Sequence, residues 1–254
     1  MAMASQVSKT DLEVVLTQAM MAAKNVRVQH GRLLELHRRL HRHHKAAAAD
    51  AEDDRLGGLA SDILNVYYLG LEAGAKMLAR CIDIAVDSRA MAAVNIAFAL
   101  MPDEQLYDAL LAQRLPPRPA TQAQAFARVE AALLAVKMLE EHHLPRCVEC
   151  LVAGRAPVPG DPDDPDSEEP RHDAAAASGG VHKALDYLRR ANKIAGLAVK
   201  HIDHAVAVLS RFADPKEVAR LAELSDKHAY LGLGVEVQIK SPNLCLLVFL
   251  ASSI

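Results

Sequence analysis

Leu12-Glu-Val-Val-Leu16-Thr-Gln-Ala19-Met-Met-Ala-Ala23-Lys-Asn-Val26-Arg-Val-Gln-His30-Gly-Arg-Leu33-Leu-Glu-Leu-His37-Arg-Arg-Leu40-His-Arg-His-His44 decides the fold class. Residues 12, 16, 19, 23, 26, 30, 33, 37, 40 and 44 recur in alternating steps of four and three, which is the seam of a helix that packs along another helix. Leu12, Ala19, Val26, Leu33 and Leu40 occupy one seam position. Leu16, Ala23, His30, His37 and His44 occupy the other, so its last three members are all histidine. A helix from about Thr10 to Lys45 is predicted, with Gly31 as its weak point at a cost of about 1 kcal/mol relative to Ala. The sequence predicts bending or fraying there.

The rest of the chain agrees with a helical reading. Hydrophobic residues make up 51% of the sequence but aromatic residues only 4%, and Trp is absent. Ala, Leu, Val and Met therefore have to build the core, and small Ala faces with flexible Leu and Met fillers suit helix on helix. The expected fold is all-α, a multi-helix bundle with a long amphipathic N-terminal helix and a small C-terminal β-hairpin. With 254 residues the chain has enough length for a substantial core. A formal net charge of −3 makes it neither a nucleic-acid polycation nor an acidic tail, so any electrostatic partner has to address a local patch.

Helix starts are legible at Thr10-Asp-Leu-Glu13, Thr121-Gln-Ala-Gln124 and Asp214-Pro-Lys-Glu217. Five regions follow. Residues 1–45 form the basic, His-rich amphipathic helix, and 46–58 an acidic and Gly-containing linker. Residues 59–153 form a helical bundle: a long helix over 59–87, shorter ones over 90–100 and 103–115, and another over 121–143 that stops near Pro145. Residues 154–180, with Gly160-Asp-Pro-Asp-Asp-Pro-Asp-Ser-Glu-Glu-Pro170, are too polar to offset their ordering entropy and are predicted to be disordered. Residues 181–254 supply helices over 181–212 and 215–230 that pack on the same bundle. An alternating stretch (232–239) and an apolar tail (244–251) follow, and these are the source of the hairpin.

The longest apolar run, Leu244 to Ala251, is about half of the roughly 20 residues that a spanning helix needs. The first ten residues lack the cationic and apolar pattern of a leader, and four cysteines do not form a secreted framework. The expectation is a cytoplasmic protein, with entry to the nucleus as a further option.

Three constellations are candidates for function. The seam Leu12, Leu16, Val26, His30, Leu33, His37, Leu40 and His44 is expected to meet a helix of a protein partner or of a second copy. Arg38, Arg39, Arg42 and Lys45 flank it and would set specificity. Such a helix also suits an anionic membrane surface, whereas without aromatic stacking residues nucleic acid is the weaker choice. The second constellation, Glu140-Glu-His-His143-Leu-Pro-Arg-Cys147-Val-Glu-Cys150, offers His143, Cys147 and Cys150 as zinc ligands, with Cys81 or His142 as a fourth. His37, His41 and His44 on one side of the helix are another set of imidazoles for a divalent transition metal. His201 and His204 read as surface residues.

There is no phosphate-binding loop, nucleophile elbow, zinc-protease pair or dinucleotide fingerprint. The sequence therefore points to a nonenzymatic helical protein that works by protein-protein interaction or regulation, with no cofactor. A zinc-binding regulatory protein is the alternative, and an enzyme without a local signature the second alternative.

Overall fold

The computed structural model describes residues 7–46, 52–90, 120–153 and 174–238. These form α1 (Lys9–Ala46), α2 (Glu52–Val66), a π turn (Tyr67–Leu71), α3 (Glu72–Asp87), α4 (Gln122–Met138), a second π turn (Leu139–His143), α5 (Leu144–Ala153), α6 (Ala174–Leu209), a 3-10 turn (Ser210–Phe212) and α7 (Pro215–Gln238). The fold is an all-α bundle, and among the described residues there is no strand.

Two helices organise it. α1 packs most extensively on α6, then on α3 and α7, while α6 also packs on α4 and α5. The α1/α6 pair is antiparallel. Arg27 reaches Asp203 at 2.8 Å, the Asn192 side-chain amide donates to the Leu33 carbonyl at 3.3 Å, and the rings of His44 and His182 lie 6.2 Å apart. Ala19, Ala22 and Ala23 on α1, with Ala191, Ala195, Ala198 and Ala205 on α6, are all buried and let the rods approach closely. Leu16, Leu33, Leu40, Leu78, Phe126 and Leu188 fill the space between them, each fully inaccessible to solvent.

Local chemistry sets the boundaries. At α1 the cap is Ser8, whose hydroxyl accepts from the Asp11 backbone N–H at 3.2 Å and donates to the Asp11 carboxylate at 2.7 Å. The Thr10/Glu13 box is therefore displaced by Ser8, which sits where its oxygen faces the free N–H groups. Thr121 and Asp214 cap as expected, accepting from the Gln124 and Lys216 amides at 3.2 and 2.9 Å. α1 runs without a break through Gly31, because the packing of its neighbours outweighs the cost of one glycine.

Several boundaries differ from the sequence reading. Glu52–Gly58 belong to α2, with Leu56 buried, because Leu56 and Leu59 join the core and draw the preceding turn into the helix. Pro145 does not end its helix. The preceding π turn closes with a wider ring, in which the Leu144 N–H bonds to the Leu139 carbonyl, and the proline, which lacks an N–H, is accommodated just after it. α6 starts at Ala174, so 174–180 are helical where disorder was expected. Its alanine run is an extension of a helix already nucleated by the stripe beginning at Val181. Residues 232–238 are helical as well, since α7 continues to Gln238, and this part of the hairpin is corrected for the same reason. Of the helix expected over 90–100 all but Ala90 lies outside the described residues, as do the helix expected over 103–115, the acidic stretch 154–173 and the tail 244–251.

The first π turn has a steric cause for its glycine. A Cβ on Gly70 would collide with the Gln29 side chain, which is itself buried on α1. Gly70 thus marks where this turn presses directly on the central helix.

Candidate functional site

The seam is occupied from within. Leu12, Leu16, Val26, Leu33 and Leu40 are buried, and the helices that cover α1 belong to the same chain. The expectation that these side chains are presented to a partner helix is corrected by this packing: 3.5-residue periodicity specifies a covering helix, and α6, α3 and α7 provide it. His30, His37 and His44, half-buried, line the seam's second half. His30 lies against Gly196, where an added Cβ would be 3.4 Å from its ring. His37 stacks on His41 at 6.3 Å with the planes nearly parallel, and its Nε2 is buried with no hydrogen-bond partner among the described residues. Burial lowers the pKa of both His30 and His37, and Arg189 and then His41 lower that of His37 further.

The basic flank stays open. Arg38, Arg39, Arg42 and Lys45 are exposed on α1. Arg38 and Arg42 share Glu35 at 3.5 and 3.1 Å, and Arg39 meets Asp62 of α2 at 2.6 Å. The antiparallel register sets the start of α6 beside them, adding His182, Lys183 and Arg189, exposed on the same end of the bundle. Arg189 pairs with Asp186 at 2.9 Å. Between residues 35 and 45, four cations stand against one acid, and between 182 and 193 another four against one. The net result is a cationic face shared by two rigid helices. Sequence reasoning found the α1 half alone, since nothing local indicates which segment pairs with residues 38–45.

The cysteine constellation is placed differently. His143 and Cys147 are buried and Cys150 is half-buried. The Cys147 thiol points at the Ala184 carbonyl at 3.5 Å, and burial pushes its pKa up, as it does that of Cys150. Cys81 contacts the Val15 and Met77 carbonyls, with its pKa pushed up to about 12 by burial. Such thiols behave as small apolar side chains with a weak donor. Among the described residues no three His, Cys, Asp or Glu side chains are grouped to hold a metal ion.

Two histidines are buried against α6 contacts. His201, read from sequence as a surface residue, is 2% exposed, and its Nδ1 lies 3.1 Å from the Arg128 guanidinium of α4. Arg donates only, so Nδ1 must carry the lone pair and the ring is the neutral Nε2–H tautomer. His143 packs beside Tyr187 of α6 with ring centres 6.3 Å apart. The pKa of each is brought down to about 4, chiefly by burial, then by Arg190 and His142 for His143 and by Arg128 and His204 for His201. In the same π turn as His143, Glu140 is raised to about 7 by burial and by Glu72 and Glu141. Spacing gave no sign of Arg128, since a lone arginine in an Ala-rich helix reads as solvent-facing.

No protein-family model, curated protein or solved structure matches the chain. Among the described residues no helix is long and apolar enough to cross a membrane.

Proposed function

We propose that this chain is a nonenzymatic helical interaction protein whose contact surface is the cationic, histidine-bearing face formed by the end of α1 and the start of α6, and whose partner presents acidic side chains. The single observation that supports this reading is that the seam is consumed in the bundle while the flank beside it is left exposed on two packed helices. A rigid cationic array steers association and imposes register, and neutralising it slows association more than it destabilises the fold.

The test is affinity capture with the intact chain and with an Arg38→Glu/Arg42→Glu variant, with far-UV circular dichroism as the check on folding. The proposal expects a defined protein recovered by the intact chain, competed by moderate salt, and lost from the equally helical variant. Recovery of the same protein by both would overturn it. A second copy as the partner would show as a dimer of the purified chain that the variant does not form.

A further inference from the structure

Imidazoles occupy contacts on two sides of α6, positions 182, 189 and 196 facing α1 and positions 187 and 201 facing the second π turn and α4. From its start, His182 meets His44 of α1, Tyr187 meets His143 of the second π turn, Arg189 faces His37 of α1, Gly196 lies against His30 of α1, and His201 takes a hydrogen bond from Arg128 of α4. The charged groups facing the buried rings from the packed elements are mostly cations: Arg189 toward His37, Arg190 toward His143 and Arg128 toward His201. Several carboxylates in this part of the bundle have partners of their own. Asp186 lies 4.0 Å from the exposed His182 and binds Arg189, Asp203 binds Arg27, Glu35 binds Arg38 and Arg42, and Glu140 is set among Glu72, Lys76 and Lys137. At Arg128/His201 the conflict is explicit. A proton on Nδ1 would replace an accepted hydrogen bond with two cations 3.1 Å apart in the core.

We propose that α6 is an acid-releasable helix: protonation of His201 against Arg128 undocks it from α4 and α1, and uncovers the apolar seam of α1. The device is built from the bundle's own contacts and stands whether or not the cationic face captures a partner. Its working range follows from this buried contact. A His201 ring that takes a proton near pH 6.5 when released and only near pH 4 when docked favours release at pH 5.0 by about 30-fold.

Amide hydrogen exchange on the full chain at pH 7.5 and 5.0, corrected for intrinsic chemistry, tests this. Expected is an opening equilibrium for α6 amides that rises about 30-fold at pH 5.0, while α2 and α3 change much less. In a His201→Gln variant that rise should largely disappear. An unchanged pH response in the variant, or equal acid opening of α3 and α6, would overturn the proposal. Should the variant fail to fold, imidazole proton titration of the wild-type chain decides. A His201 ring that stays neutral down to pH 5 in the docked state supports it, and its titration above pH 6 with α6 still docked overturns it.

Discussion

The two halves of α1 share one register and differ in what the register holds. From Leu12 to Val26 the seam is Leu, Ala and Val, all buried, so its closure on α6 and α3 is a matter of apolar area. From His30 to His44 every second seam position is an imidazole, half-buried and flanked by arginines. The first half has no titratable seam group, whereas the second ties packing to proton activity and opens onto the cationic face. A single periodic pattern can thus build an apolar joint at one end of a helix and a titratable one at the other.

The strongest way to break the comparison is to place charge in the apolar positions that both halves share. Leu33→Asp with Leu40→Asp buries two carboxylates at positions with no solvent access. The expected loss, more than about 5 kcal/mol, abolishes folding in urea titration. Because these leucines face the chain's own helices, the variant reports on the bundle and not on a partner. A cooperatively folded double variant would mean that the second half of the seam is not closed.

Acid is the next probe, acting on buried imidazoles of the second π turn and of α6. His143 and His201 keep neutral rings in the fold, with pKa values of about 4 against about 6.5 when unfolded. Well above pH 6.5 neither state binds the proton and stability is at its plateau. As pH falls below 6.5 the unfolded chain protonates first, and each ring withdraws about 3 kcal/mol by pH 4. Urea midpoints measured from pH 7.5 to 4.5 should fall through this window. Single His→Gln variants at 143 and 201 should each flatten part of the slope.

How much of this the sequence discloses depends on range. Helix identity, the buried stripe Leu185, Leu188, Ala195, Ala198, Ile202, Ala205 and Leu209, and the caps at Thr121 and Asp214 are local and were readable. The covering helix of the seam was not, because a heptad states that a partner rod exists without saying whether it lies in the same chain. The pairing of residue 44 with residue 182 joins segments separated by the whole middle of the chain, so the α6 half of the cationic face had no local signal. Both π turns were equally silent. One answers to Gly70 pressing on Gln29, and the other precedes a proline inside a helix that propensity alone would end.

The smallest effect sharpens the junction between the halves. Gly31 has open space around its missing Cβ, so Gly31→Ala should stabilise the chain by about 1 kcal/mol in thermal melts. Gly70→Ala drives a methyl into the Gln29 side chain and should destabilise it by about 1 to 3 kcal/mol. Equal effects of the two would remove the close approach from the account.

The central claim is that α1 closes on α6 of its own chain, with residue 44 beside residue 182. A His44→Cys/His182→Cys variant, prepared as an equal mixture of unlabelled and 15N-labelled chains and treated with a short bis-maleimide, reads this directly by mass spectrometry. The account predicts cross-linked peptides in which both halves carry the same isotope. Pairs joining a labelled half to an unlabelled half in the statistical proportion would contradict it, because the seam would then be closing between chains.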